Sequence, residues 1–200
     1  MTETRGRSSF DDANLLAALA CYPVDDLGYS PADGLALEEY YAFYALNFQH
    51  TESAMGIVGV AGQRIALQTF KPTTNHNGRW ALVSHGYYDH AGLYGHIIEA
   101  LLQRGLGVLI FDHLGHGLST GQSATIDRFQ SYVEVLACIH GLADEIIGCE
   151  PSHWIGQSMG GALLMEYEQQ RRLSPNGELI LFAPLVRPYG WPVLQWYFVM

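Results

Sequence analysis

Gly156-Gln157-Ser158-Met159-Gly160 sets a serine between two glycines, each two residues away. A serine hydroxyl attacks a carbonyl only if three needs are met. It must stand clear of its neighbours, a base must take its proton, and N–H donors must hold the negative oxygen that forms. The G-x-S-x-G spacing serves the first need, because it is the pattern of a strand that turns sharply into a helix and lifts the side chain at the bend. At such a bend the serine backbone is strained, and residues two places to either side pass too close for a Cβ, so glycine is required. A glycine-rich packing turn has the same letters, and the flanks decide between the two. HWIGQ before Ser158 is strand-like, MGGALLMEYEQQRR after it is helical, and Gly161 helps to seat that helix. The helix N-terminus also favours negative charge beside the hydroxyl.

Two further segments carry candidate chemistry. Val83-Ser84-His85-Gly86-Tyr87-Tyr88-Asp89-His90 lies between a strand and a helix, where backbone N–H groups collect at the edge of a sheet. Phe111-Asp112-His113-Leu114-Gly115-His116-Gly117-Leu118-Ser119 follows the next strand. Its glycines permit a tight loop that Asp112 can hold by side-chain hydrogen bonds. His113 and His116 also form an H-x-x-H pair beside Asp112, but a glycine loop lacks the helical presentation that makes such a pair a metal site, so no metal is expected.

The elements that must position these residues follow from periodicity. DDANLLAALAC (11–21) and LALEEYYAFYALNF (35–48) read as helices, the second with aromatic residues suited to packing. MGIVGVAG and QRIALQTF read as antiparallel strands joined near Ala61-Gly62, and NHNG (75–78) as a turn. Then come a strand at Trp80–Val83, a helix at 93–104, the strand GVLIF ending at Asp112, and one long helix over 126–147. HWIGQ, a helix over 159–172 and the strand ELILFAP complete the series. This alternation predicts six strands, the last four mainly parallel, in an α/β architecture with helices on both sheet faces.

The HG pair followed by Tyr87, D-x-x-G-H-G-x-S over Asp112–Ser119 and G-x-S-M-G-G over Gly156–Gly161 occur in that order. Together they resemble the α/β-hydrolase superfamily, in particular its lysophospholipase and monoacylglycerol lipase-like (serine aminopeptidase S33-type) branch, over roughly residues 54–200. The resemblance implies the α/β-hydrolase fold, with Ser158 as nucleophile and the backbone N–H groups of Tyr87 and Met159 as the oxyanion hole. It makes His85, Gly86, Asp112, Gly115, His116, Gly117, Gly156 and Gly160 structural motif residues. It also implies a small-molecule ester substrate, lipid-like by preference, and no cofactor.

In this fold the triad runs Ser, then Asp or Glu, then His. The last His is His153 and the last Asp is Asp144, both before Ser158. Of the later carboxylates, Glu166, Glu168 and Glu178 fall on the following helix and strand and read as surface charge. The expectation is therefore an N-terminal portion, in which the triad acid, the triad histidine, most of a cap and the last strands lie beyond Met200, and which hydrolyses esters poorly by itself. Its expected parts are a helical lead-in (1–52), an incomplete core (53–187) and the start of a cap (188–200) with Trp191, Trp196, Tyr197 and Phe198. An acyltransferase or aminopeptidase of the same fold, or a non-catalytic relative that only binds, stays open as an alternative.

Composition limits the rest. A net charge of −10, from 10 Lys+Arg against 20 Asp+Glu, repels phosphate backbones and excludes a general nucleic-acid binder. Cys21, Cys138 and Cys149 are odd in number and widely spaced, which suits a reducing compartment rather than a disulfide scaffold. The polar start MTETRGRSSFDD has no secretory h-region, and no run is long enough to span a membrane, so the expected location is the cytoplasm.

Overall fold

Successive side chains of a strand point to opposite faces of its sheet, and here both faces are apolar. The computed structural model describes residues 13–21, 28–32, 35–170 and 177–185. It places seven strands in one sheet: β1 Tyr29–Ala32, β2 Thr51–Val60, β3 Gln63–Pro72, β4 Trp80–Ser84, β5 Gly107–Phe111, β6 His153–Gln157 and β7 Glu178–Phe182. The helices are α1 Ala13–Leu19, α2 Leu35–Phe43, α3 Gly95–Leu102, α4 Phe129–Gly141, α5 Ala143–Ile147 and α6 Met159–Gln169, with a 3-10 turn at Ala91–Tyr94. On one face Ala81, Val83, Val108, Ile110 and Ile155 meet α1, α2 and α3 through Leu15, Leu19, Tyr40, Tyr41 and Ile98. On the other, Leu82, Leu109, Phe111 and Trp154 meet α4 and α6 through Val133, Leu136, Leu163 and Leu164. This is the α/β-hydrolase fold, with helices on both faces of a mixed sheet.

The strand order is β1-β2-β3-β5-β4-β6-β7. β1, β2, β3 and β5 pair antiparallel in turn, whereas β5, β4, β6 and β7 are parallel neighbours. From β4 the chain goes first to β5 on one side and later to β6 on the other. That reversal opens a crevice at the C-terminal ends of β4 and β6, where open α/β sheets bind ligands. Both the HG segment and Ser158 sit there.

Three differences from the sequence reading have local causes. The seventh strand, β1, escapes a search for strands because it contains Pro31, yet it lies at the sheet edge, where proline is tolerated. Its trace in the sequence is Gly56, where a Cβ would fall 1.9 Å from the Tyr29 ring that crosses it. The single helix expected over 126–147 begins only at Phe129, because Arg128 is extended. It divides at Leu142, whose N–H turns to both Cys138 and Ile139 carbonyls, and α5 then stops at Gly148 with φ +75°. The helix expected over 93–104 is shorter and is preceded by the 3-10 turn, capped by the His90 side chain.

The β2–β3 hairpin closes through Ala61 and Gly62, both at positive φ, with Val60 opposite Gln63. Residues 188–200, where a cap is expected to start, lie outside the described residues. All three cysteines are free. Among the described residues no helix is long and apolar enough to cross a membrane.

Candidate active site

The strand β6 ends at Gln157 and α6 begins at Met159, so the reversal falls on Ser158 alone, at φ +50° and ψ −112°. That conformation is costly for a residue with a Cβ and persists only where its surroundings enforce it. The surroundings are three backbone bonds. Ser158 N–H donates to the Phe182 carbonyl at 2.9 Å, and its own carbonyl accepts from Leu185 (2.9 Å) and Ala162 (3.1 Å). The glycines are required by close approach. A Cβ on Gly160 would lie 2.2 Å from the Ser84 carbonyl oxygen, and one on Gly156 would lie 2.7 Å from the Gly160 carbonyl oxygen. The start of α6 is thereby pressed against the end of β4.

The segment after β4 borders the serine. A Cβ on Gly86 would be 3.5 Å from the Ser158 Cβ. Among the described residues, neither the Tyr87 nor the Met159 backbone N–H has a hydrogen-bond acceptor, and the Ser158 hydroxyl has no partner. The Tyr87 phenol donates to the Ala124 carbonyl, tying this segment to the loop after β5. Sequence reasoning missed two residues here. The Tyr94 hydroxyl accepts from the Gly86 N–H at 2.8 Å and donates to Asp89 Oδ2 at 3.1 Å. A 3-10 turn beginning at Ala91 is what carries Tyr94 back over Gly86, and helical periodicity does not reveal it.

Asp112 is fully buried, with Oδ1 accepting from Ala91 N–H (2.7 Å) and Oδ2 from Leu118 N–H (2.8 Å). Burial raises its pKa, and these two bonds pull it back down. Gly117, at φ +50°, leaves room for the carboxylate, since a Cβ there would sit 2.2 Å from Oδ2. Gly115, at φ +70°, passes as close to the Gln122 carbonyl. Asp112 therefore fastens its own loop to the segment that follows Asp89.

The histidines are locked in the same network. His85 Nε2 accepts from the His113 N–H at 2.9 Å, so Nδ1 carries the proton and donates to the Gly86 carbonyl at 2.7 Å. Both nitrogens are occupied, and burial lowers the His85 pKa to about 3. His113 Nε2 lies 3.2 Å from the His85 carbonyl and 3.1 Å from Ser84 Oγ, and burial lowers its pKa as well. His116 Nδ1 is 2.8 Å from the Leu114 carbonyl. No histidine among the described residues hydrogen-bonds to Ser158, and no group of three or more His, Cys, Asp or Glu side chains there could hold a metal ion.

The family model described as "Serine aminopeptidase, S33" matches residues 77–199. The chain belongs to this family. A monoacylglycerol lipase of Mycolicibacterium smegmatis is 33% identical over 139 residues, 70% of this chain and 49% of that protein. A monoglyceride lipase of Homo sapiens is 32% identical over 133 residues, 65% of this chain and 42% of that protein. The chain thus spans about half the length of these curated relatives. Among solved structures, the Paleococcus ferrophilus monoacylglycerol lipase superposes with a TM-score of 0.53 at 24% identity, covering 68% of this chain and 50% of that one. Acetyl xylan esterase 1 from Thermoanaerobacterium superposes with a TM-score of 0.60 at 16% identity over 95% of this chain and 67% of that one, a likeness of fold. The S33 match begins at residue 77, so α1, β1, α2, β2 and β3 precede it.

Proposed function

We propose that this chain carries the nucleophile and oxyanion hole of a serine hydrolase that cleaves carboxylic esters of lipid-like substrates, of the monoacylglycerol or lysophospholipid type. The observation that carries the reading is the strained Ser158 at the crevice, beside two backbone amides, of Tyr87 and Met159, with no acceptor of their own. The Ser158 oxygen attacks the acyl carbonyl, and the resulting oxyanion takes hydrogen bonds from those amides. A general base accepts the hydroxyl proton and passes it to the departing alcohol, leaving an acyl ester on Ser158. Water, activated by the same base, then releases the carboxylic acid. No histidine among the described residues hydrogen-bonds to Ser158, and the chain spans about half the length of its curated relatives, so we assign the base and its orienting acid to sequence outside residues 1–200. These 200 residues alone should turn over esters poorly.

Two features favour a lipid-like ester. The curated relatives named above are a monoacylglycerol lipase and a monoglyceride lipase. Exposed apolar side chains also follow β4 in the segment that borders the serine, at Tyr88 and Leu93.

The test uses the full-length gene product. A fluorophosphonate probe should label it, with the adduct mapped to Ser158 by peptide mass spectrometry, and Ser158→Ala should abolish both labelling and release of fatty acid from a monoacylglycerol. An unlabelled protein whose behaviour is unchanged by Ser158→Ala would sink the enzyme reading and favour a binding role. Labelling with turnover only of aminoacyl amides would instead identify a peptidase.

A further inference from the structure

The Tyr87 amide sits in a four-residue turn, Gly86 to Asp89, that contains no helix or strand to hold it. Its own backbone supplies one closing bond, Asp89 N–H to the Gly86 carbonyl, at a long 3.3 Å. A second closure comes from outside. The Tyr94 hydroxyl receives the Gly86 N–H at 2.8 Å and gives its proton to Asp89 Oδ2 at 3.1 Å, so one oxygen bridges both ends of the turn. A phenol has one proton and two lone pairs, and this arrangement uses the proton and one lone pair with fixed direction.

We propose that Tyr94 and Asp89 form a clamp that positions the Tyr87 N–H for the oxyanion, a role that rests on the ester-hydrolase reading above. An oxyanion donor acts only if it already points at the place where charge will develop, and freedom in its turn forfeits that advantage. The clamp is anchored on both sides. The Tyr94 ring is buried in the core between α3 and the sheet, and its 3-10 turn is pinned by Ala91 N–H to Asp112 Oδ1 at 2.7 Å. The His90 side chain caps that turn at Gly92 N–H, 3.2 Å, and packs edge-on against the Tyr44 ring, 4.9 Å between centroids. The turn itself is cut to fit, since a Cβ on Gly86 would lie 2.8 Å from Asp89 Oδ2. Neither residue touches the reacting atoms, so both are positioning residues.

Tyr94→Phe in the full-length protein keeps the ring and removes the bridging oxygen. The expected result is a fall of about tenfold or more in kcat for a monoacylglycerol, with KM unchanged, the signature of an interaction made only in the transition state. Asp89→Ala should lose a similar factor, and Asp89→Asn, which keeps an acceptor oxygen, should recover most of it. The double variant Tyr94→Phe/Asp89→Ala should be no slower than the worse single one, because each breaks the same bridge. Unchanged kcat in Tyr94→Phe, or a loss that appears in KM, overturns the clamp. Hydrogen exchange separates this outcome from failure of the hydrolase reading. The 86–89 amides should exchange faster in Tyr94→Phe whether or not the protein has esterase activity, and unchanged exchange also overturns the clamp.

Discussion

The geometry around Ser158 shows how narrow the tolerances are for single residues. Gly160→Ala would push a methyl group to 2.2 Å from a backbone oxygen of β4, which neither chain can yield without moving the elbow. The expected cost is about 3 kcal/mol or more, or loss of the folded protein, read by urea denaturation. His85 offers a test of protonation. The folded chain holds it neutral down to about pH 3, whereas an unfolded histidine takes a proton near its ordinary 6.5. The stability this contributes is complete above pH 6.5. It is lost as pH falls from 6.5 towards 3, at up to about 1.4 kcal/mol per pH unit. The buried His113 works in the same sense, and Asp112, whose pKa is raised, offsets part of the slope. Nitrogen-15 NMR at pH 5 should show His85 neutral, with the proton on Nδ1. A doubly protonated ring at that pH would refute the locked network.

At the scale of elements, the loop after β5 depends on one carboxylate and the helix after it on few constraints. Asp112→Ala leaves the Ala91 and Leu118 N–H groups buried without acceptors, at about 1–3 kcal/mol each. Equilibrium denaturation should therefore show a loss of about 2–6 kcal/mol, and a change below about 0.5 kcal/mol would contradict the role given to Asp112. Gly141, the last residue of α4, has nothing within 4 Å of where a Cβ would stand. Gly141→Ala should thus stabilise by about 0.5–1 kcal/mol, measurable as a raised urea midpoint. The contacts that set these glycines apart were not visible in the sequence. Gly156 and Gly160 declared themselves by their spacing around a serine, whereas the clash at Gly160 comes from β4, more than seventy residues away.

For the molecule as a whole, the N-terminal helices are part of the core rather than an appendage. Leu15, Leu19, Tyr40, Tyr41 and Leu46 cover the face formed by Ala81, Val83, Val108 and Ile110, and the Tyr40 hydroxyl accepts from the buried Gln68. Removing residues 1–50 would bare that face and strip β1 from the sheet. The shortened protein should bind a hydrophobic dye and aggregate on warming, which fluorescence and light scattering would record. Retention of the parent's cooperative melt would show that this layer is dispensable. The family match, which begins at residue 77, does not include this layer.

The fold class, the mainly parallel direction of the last four strands, the hairpin at Ala61-Gly62 and the bend at Ser158 were legible in the amino-acid sequence, whereas the strand order was not. Each depends on residue type and short spacing, and hydrophobic period, turn chemistry and glycine placement are local. Packing in three dimensions settled that β1 joins the sheet, that His85 and His113 bind the two loops together, and that Tyr94 reaches Gly86 and Asp89. Those outcomes turn on which carbonyl, amide or ring meets which partner once separate strands pack. A proline at a sheet edge and a phenol at the end of a 3-10 turn give no periodic signal of the contacts they make.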